Sequence, residues 1–267
     1  MTPHQLIEIF EDTQHMIQTN PTLHAQMQIS QRSSMLFPNG YKSPIRVRRG
    51  SGRIHVDEVT TFQCAREVSP FFSCTAVLNF ANPHEPGGGV RRGAMAQEEC
   101  LCRCSDLYNV LAQPHFLEQY YRYHHQCDNF FSDRLIYSPG ITVCKSDDPV
   151  PQPLNPPFPV DVITCAAPYL FGYVNMPAEK LMAIYKSRIR NILEAAMSQK
   201  VDCLILGAFG CGAFHNDPNL MARAFKAVLV AERYAEYFEE VIFAIKASGQ
   251  SARNLQVFRE VFQNTSV

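Results

Sequence analysis

The sequence predicts an α/β domain of three layers, a mixed sheet with helices on both faces. From residue 160 onward, apolar runs and helical periodicities alternate as strand, helix, strand, helix, strand, helix. The apolar runs VDVITC, VDCLILG and VIFAIK are continuous rather than alternating, as in strands buried on both faces. Two glycine-rich stretches, one after Phe80 and one after Leu206, follow apolar strands, at the edge where open α/β sheets collect ligands.

The elements read in order as follows. Leu6, Ile9, Phe10, Thr13, Met16 and Ile17 recur at helical spacing, so residues 3–18 form a helix, with Thr2 as cap and Pro3 in its first turn. Residues 20–50 are mixed and polar, broken by NPT and FPNG. The basic cluster RVRRGSGR, 46–53, reads as a solvated loop rather than a polyanion contact. A strand follows at 53–59 and a helix at 60–68, capped by Thr60 or Thr61. The strand 74–80 leads into the first glycine loop. A helix opens near Gln97 and ends before Tyr108, and helical patterns continue through VLAQPHFLEQYYRYHHQC.

A strand spans 134–143 across a Ser-Pro-Gly turn. The proline-rich stretch within 147–160 reads as an extended surface loop inside one domain. Then come a helix over 177–199, a strand over 201–207, the second glycine loop, a helix over 217–236, a strand over 241–246 and a helix over 250–262.

Composition excludes several classes. The formal net charge is −1, so no global basic field exists to hold duplex nucleic acid. No apolar run approaches the ~18 residues of a membrane span. The start lacks a basic-then-apolar signal layout, so a cytoplasmic chain without a membrane partner is expected. The ten cysteines fall mostly in apolar runs and read as buried free thiols. Cys100, Cys102 and Cys104 lack paired CxxC spacing, so no zinc site is expected.

Two stretches carry chemistry. The first is LNFANPHEPGGGVRRGAMAQEE: a strand end, then Gly87, Gly88 and Gly89, a spacer, then Gln97, Glu98 and Glu99 heading a helix. Three residues without Cβ let the backbone lie against a ligand with its amides inward. Two adjacent carboxylates supply acid/base groups. Taken alone, the glycines also suit a flexible loop, and the glutamates suit the positive end of a helix dipole. The second stretch is GAFGCGAFHNDP, 207–218. The amides of Gly210, Cys211, Gly212, Ala213 and Phe214 suit a diphosphate, and Asn216 or Asp217 caps the next helix. Phe209 and Phe214 either stack on a sugar or base, or pack under the sheet.

GGG, seven residues, then QEE resembles the signature of poly(ADP-ribose) glycohydrolases, and the surrounding residues are most similar to the microbial branch. GAFGCGAFHNDP, DRLIYSP, VITCAAP and VIFAI resemble the same branch, so the likeness spans roughly residues 50–246. The resemblance implies a macrodomain-like catalytic domain over 51–267, with residues 1–50 as an N-terminal helical extension packed on it. It implies ADP-ribose between the two loops and hydrolysis of the ribose–ribose bond of poly(ADP-ribose) to release ADP-ribose. By the family pattern Glu99 is the catalytic acid/base, with a raised pKa. Glu98 holds ribose hydroxyls, Gln97 binds ADP-ribose with it and Asn82 meets the distal ribose. The two glycine loops hold the diphosphate. Asp57, or else Glu58, meets the adenine amino group. Neither metal nor cofactor is required.

Glu85 departs from this pattern by placing negative charge beside the diphosphate, with Arg91 and Arg92 as candidate compensation. The expected partners are poly(ADP-ribose) or ADP-ribosylated proteins, with ADP-ribose as product and the chain a monomer. Two other functions fit the same fold: a non-catalytic ADP-ribose reader and a mono-ADP-ribosyl hydrolase. The intact QEE argues against the reader.

Overall fold

The computed structural model describes residues 1–47, 50–147, 150–172, 176–247, 249 and 251–263. Seven strands form one sheet: β1 (Met35–Phe37), β2 (Arg53–Asp57), β3 (Thr75–Phe80), β4 (Leu135–Lys145), β5 (Pro153–Cys165), β6 (Cys203–Leu206) and β7 (Glu240–Ala244). Their order is β1-β4-β5-β3-β6-β7-β2. β4 is antiparallel to both β1 and β5, and the remaining pairs are parallel. The mixed sheet is therefore parallel where the glycine loops leave it.

The core lies on both faces, as continuous apolar strands require. Ala76 and Leu78 of β3 face one cluster, with α7 (Ala178–Ser198), α8 (Pro218–Lys226) and α9 (Ser251–Phe262). Val77 faces the other, with α1 (Pro3–Thr19), α3 (Thr61–Val68), α4 (Gln97–Cys104) and α5 (Leu107–Leu111). β3 lies beside β6 with Ala76 opposite Leu204 and Val77 opposite Ile205. The loops after Phe80 and after Leu206 therefore emerge side by side.

Thr2 and Gln5 form a capping box that starts α1. Leu6, Phe10 and Ile17 are buried, each worth roughly 1.5–3 kcal/mol relative to exposure. Thr13 Oγ1 donates to the Arg103 carbonyl of α4 at 2.6 Å, and Lys145 Nζ reaches Asp12 at 2.6 Å. The helix is thus bound to the element that carries the paired glutamates.

Several sequence expectations change. Residues 21–33 form a helix, α2, rather than irregular chain. Asn20 Oδ1 accepts the amides of Thr22 and Leu23, and Pro21 occupies the first turn, so the apparent breaker is a start signal. The proline-rich stretch is no surface loop: Pro153–Cys165 is β5, with Val143 opposite Phe158 and Lys145 opposite Pro153. Prolines hold the chain extended, and register shifts in the β4–β5 pair absorb the missing donors. Ser138–Gly140 is one of these irregularities within β4, not a turn.

The helical stretch after α5 is broken into α6 (Pro114–Phe116) and a π-helical turn over Leu117–Arg122. The helix expected over 217–236 ends at Lys226 and continues as π-helical and 3-10 turns. In the basic cluster, Arg46 pairs with Glu194 at 2.9 Å and Arg53 with Glu240 at 2.8 Å. Arg48 and Arg49 lie outside the described residues, as do Asp148 and Pro149 of the proline-rich stretch and Gln250. Among the described residues, no helix is long and apolar enough to cross a membrane.

Candidate active site

A cavity of about 680 Å³ opens at the carboxyl ends of the parallel strands. The head of α4 and Asn82 line one side, and Gly210 with Gly212–His215 lines the other. Ala244–Lys246, Ser251 and Asn254 close one end.

Gln97 fixes where α4 begins. Its Oε1 accepts the Phe80 amide at 2.8 Å, and its Nε2 donates to the Leu78 carbonyl at 2.8 Å and to Thr61 Oγ1 at 3.2 Å. Both ends of this side chain are thus engaged by protein rather than left for ADP-ribose as expected, and the helix is stitched to the end of β3. The next two residues then face the cavity from one turn.

Glu98 is 2% exposed. Its Oε1 accepts from Asn79 Nδ2 at 3.2 Å and its Oε2 from the Asn82 amide at 2.6 Å. Burial pushes its carboxyl up to about 8, with the bonds from Asn82 and Asn79 pulling the other way. The sequence places the raised carboxyl at Glu99; the one that burial raises here is its neighbour Glu98. Glu99 accepts the Gly89 amide on Oε1 at 2.8 Å and the Ala96 amide on Oε2 at 2.9 Å. Each of its carboxylate oxygens is held by a backbone donor.

The first glycine run differs from expectation. Gly89 donates to Glu99 at 2.8 Å and Gly88 donates to the Glu85 carbonyl at 3.1 Å. None of the three lines the cavity. The close approach that glycine permits here is to the chain's own glutamates. At Gly88, φ is +54° and a Cβ would lie 2.5 Å from Glu99 Oε1. The diphosphate expected on these amides finds those of Gly88 and Gly89 already engaged.

The second loop is built otherwise. The amides of Cys211, His215 and Asn216 bond within the loop, to Ala208, Gly212 and Gly210 carbonyls. Those of Gly210, Gly212, Ala213 and Phe214 have no partner among the described residues. Gly210, at φ +72°, packs where a Cβ would meet Ala167 and Asn216 at 2.5 Å. Asn216 is buried and donates to the Pro168 carbonyl at 2.8 Å and the Gly210 carbonyl at 2.9 Å. Asp217, not Asn216, caps α8. Phe209 is 1% exposed and packs on Phe80, so it belongs to the core. Phe214 lines the cavity. Cys211 is buried and does not line it.

Asn82 Oδ1 accepts the amides of His84 and Glu85 at 2.8 and 3.0 Å, a turn that shapes the loop. Its Nδ2 has no partner among the described residues, and the residue lines the cavity. Asp57 is placed elsewhere: it lines a separate depression between β2 and α9. Strand alternation puts its side chain on the exposed face, and Val59–Thr61 reach the cavity instead. Glu58 also is absent from the cavity lining. Glu85 pairs with Arg92 at 2.7 Å, so its charge is countered within the loop.

Arg103 carries a role that sequence reasoning missed. It is 1% exposed and donates to the Ala94 carbonyl at 2.6 Å and to Cys100 Sγ at 3.2 Å. It thereby ties down the loop that offers the Ala96 amide to Glu99. Burial pushes the thiols of Cys100, Cys102 and Cys104 upward, so none is poised as a thiolate.

Residues 4–146 match the family model described as microbial-type PARG, catalytic domain. The chain belongs to the microbial-type poly(ADP-ribose) glycohydrolase family. The poly(ADP-ribose) glycohydrolase structure from Thermomonospora curvata is 30% identical, with 97% of this chain and 100% of that chain covered and a TM-score of 0.88. The complex of the T. curvata glycohydrolase with the inhibitor ADP-HPD is 29% identical over 96% of this chain and 99% of that one, with a TM-score of 0.82. The Deinococcus radiodurans glycohydrolase in complex with ADP-ribose is 34% identical over 90% of this chain and 98% of that one, with a TM-score of 0.80. No curated protein matches the chain. The likeness to solved glycohydrolases therefore runs through the whole macrodomain-like sheet, beyond the segment that the family model covers.

Proposed function

We propose that this chain hydrolyses the ribose–ribose glycosidic bonds of poly(ADP-ribose), with Glu99 as the acid and base and ADP-ribose as the product. The observation that carries the reading is the division of labour between the loops. One loop's amides hold two carboxylates, and the other loop's amides are unpartnered across the same cavity.

A terminal ADP-ribose unit fits that division. Its diphosphate takes the amides of Gly210, Gly212, Ala213 and Phe214. Its distal ribose lies between Phe214 and Asn82, whose Nδ2 is available to a hydroxyl. Glu98, which holds its proton to about pH 8, both donates to and accepts from ribose hydroxyls at neutral pH. Val59–Thr61, rather than Asp57, meet the base.

Cleavage breaks the bond between C1″ of that ribose and the 2′-oxygen of the next adenosine. Glu99 protonates the departing oxygen while the ring acquires oxocarbenium character. As a carboxylate, Glu99 then removes a proton from the water that adds to C1″, and one residue serves both half-steps. Gly89 and Ala96 fix its orientation throughout. The chain itself supplies both loops and both carboxylates, so the scheme needs no second copy and acts as a monomer.

The raised carboxyl of Glu98 favours a second assignment, with Glu98 as the proton donor. Against it, Glu98 is nearly without solvent contact, at 2% exposed. The test of the activity is release of ADP-ribose from purified polymer, with ADP-ribose binding measured in parallel. Release is expected. Binding without release would leave a reader, or an enzyme for a different ADP-ribosyl linkage.

A further inference from the structure

A run of rings joins the two loops. His125 stacks on His84 at 4.4 Å, and His84 meets Phe131 at 5.4 Å. Phe131 meets Phe214 at 6.4 Å, and Phe214 meets Tyr169 at 5.6 Å. Tyr169 meets Phe171 at 6.3 Å, and Phe171 meets His215 at 5.0 Å. His84, Phe131, Phe214 and Tyr169 are partly covered, whereas His125, His215 and Phe171 are exposed, Phe171 at 62%. An apolar ring left in water beside a nucleotide-sized cavity leaves a face for a flat partner.

The segment bearing Phe171 is anchored. Tyr169 donates its amide to the Asn129 carbonyl at 2.8 Å, and Leu170 donates to the Phe214 carbonyl at 3.0 Å. His215, the ring beside Phe171, lines the cavity itself. Its amide is tied back to the Gly212 carbonyl at 3.0 Å. The pair therefore continues the cavity wall outward from Phe214.

We propose that Phe171 and His215 form a stacking platform for the adenine of the second unit from the chain end, the leaving adenosine. This rests on the polymer-hydrolase reading above. The leaving oxygen is the 2′-oxygen of that adenosine, and its base is borne on the adjacent C1′. A base so placed lies about one sugar's width from the bond that breaks, and so reaches the rim of the cavity. Aromatic faces bind any purine by stacking without needing polar groups. The platform takes hold of the polymer but not of free ADP-ribose, which has no second unit.

The test compares wild type, Phe171→Ala and Phe171→Trp for initial rates on purified polymer and for ADP-ribose affinity by calorimetry. Phe171→Ala is expected to raise KM for polymer about tenfold, as loss of one base stack does, with kcat nearly unchanged. ADP-ribose affinity stays at the wild-type value, and Phe171→Trp restores KM. An unchanged KM in Phe171→Ala overturns the inference. A parallel loss of ADP-ribose affinity also overturns it, because the ring would then serve the terminal unit. Met95→Ala, at another exposed apolar residue of the cavity lining, serves as the control; a KM rise there and not at Phe171 overturns it too. A wild type that releases nothing from polymer instead removes the underlying reading.

Discussion

Gly89 donates its backbone amide to Glu99 Oε1 at 2.8 Å, and Ala96 donates to Oε2 at 2.9 Å. The glycine run and the glutamate that follow one another in the motif are thus two halves of one clamp. The carboxylate is oriented before any substrate arrives, which is the preorganisation that acid/base chemistry requires.

Gly88→Ala tests that clamp. The added methyl would sit 2.5 Å from Glu99 Oε1, on a backbone at φ +54°. The end of a glutamate can swing aside, so the fold survives at a cost of roughly 1–2 kcal/mol for the left-handed residue. The displaced carboxylate cannot serve, and kcat should fall about 100-fold. A melting curve beside polymer kinetics checks both; near-normal kcat would contradict the clamp.

Glu98→Gln should change how stability depends on pH. Folded Glu98 keeps its proton to about 8, against an ordinary 4.5. The folded state therefore binds the extra proton across that interval. Its contribution is complete below the ordinary value and is lost as pH rises through about 8. Asp106, raised to about 7 by burial, acts in the same direction. Wild-type Tm should therefore fall toward alkaline pH. Glu98→Gln should fall less, with the gap growing to an order of a few kcal/mol. Parallel Tm profiles for the two proteins would refute this.

Arg103→Met should slow catalysis through a side chain that is itself buried. It strands the Ala94 carbonyl, which costs about 1–3 kcal/mol, and frees the loop that offers Ala96 to Glu99. The expected result is kcat lower by about tenfold with KM little changed, since a small misplacement of the acid/base is enough. Arg103→Lys, which keeps a cation at the Ala94 carbonyl, should recover part of the loss. Equal rises in KM and falls in kcat would point to a collapsed cavity instead.

Much of this arrangement was legible in the sequence because it rests on apolar periodicity. The runs around Val77, Val162, Leu204 and Val241 are buried parallel strands. Gln97–Glu99 were identifiable as a helix head because of the strand and loop before them. Other features carry weaker signals. The α2 helix buries only Leu23, Met27 and Ser30, and its first proline reads as a breaker. The prolines of β5 hide a strand whose partner fixes it in space. A glycine run states that something approaches closely, not what; here it is Glu99 rather than a phosphate. Arg103 and Asn79 act through side-chain hydrogen bonds to Ala94 and Glu98, partners that apolar periodicity does not report.

The most direct measurement is single-turnover release of ADP-ribose from polymer by Glu99→Gln beside Glu98→Gln, with ADP-ribose affinity measured for each. Glutamine at 99 keeps one acceptor for Gly89 or Ala96, so the loop should hold. With Glu99 as the acid and base, Glu99→Gln should lose roughly 100- to 10,000-fold in rate while binding ADP-ribose within a few-fold of wild type. Near-normal release by Glu99→Gln, with the loss confined to Glu98→Gln, would contradict the assignment and move the acid/base role to Glu98.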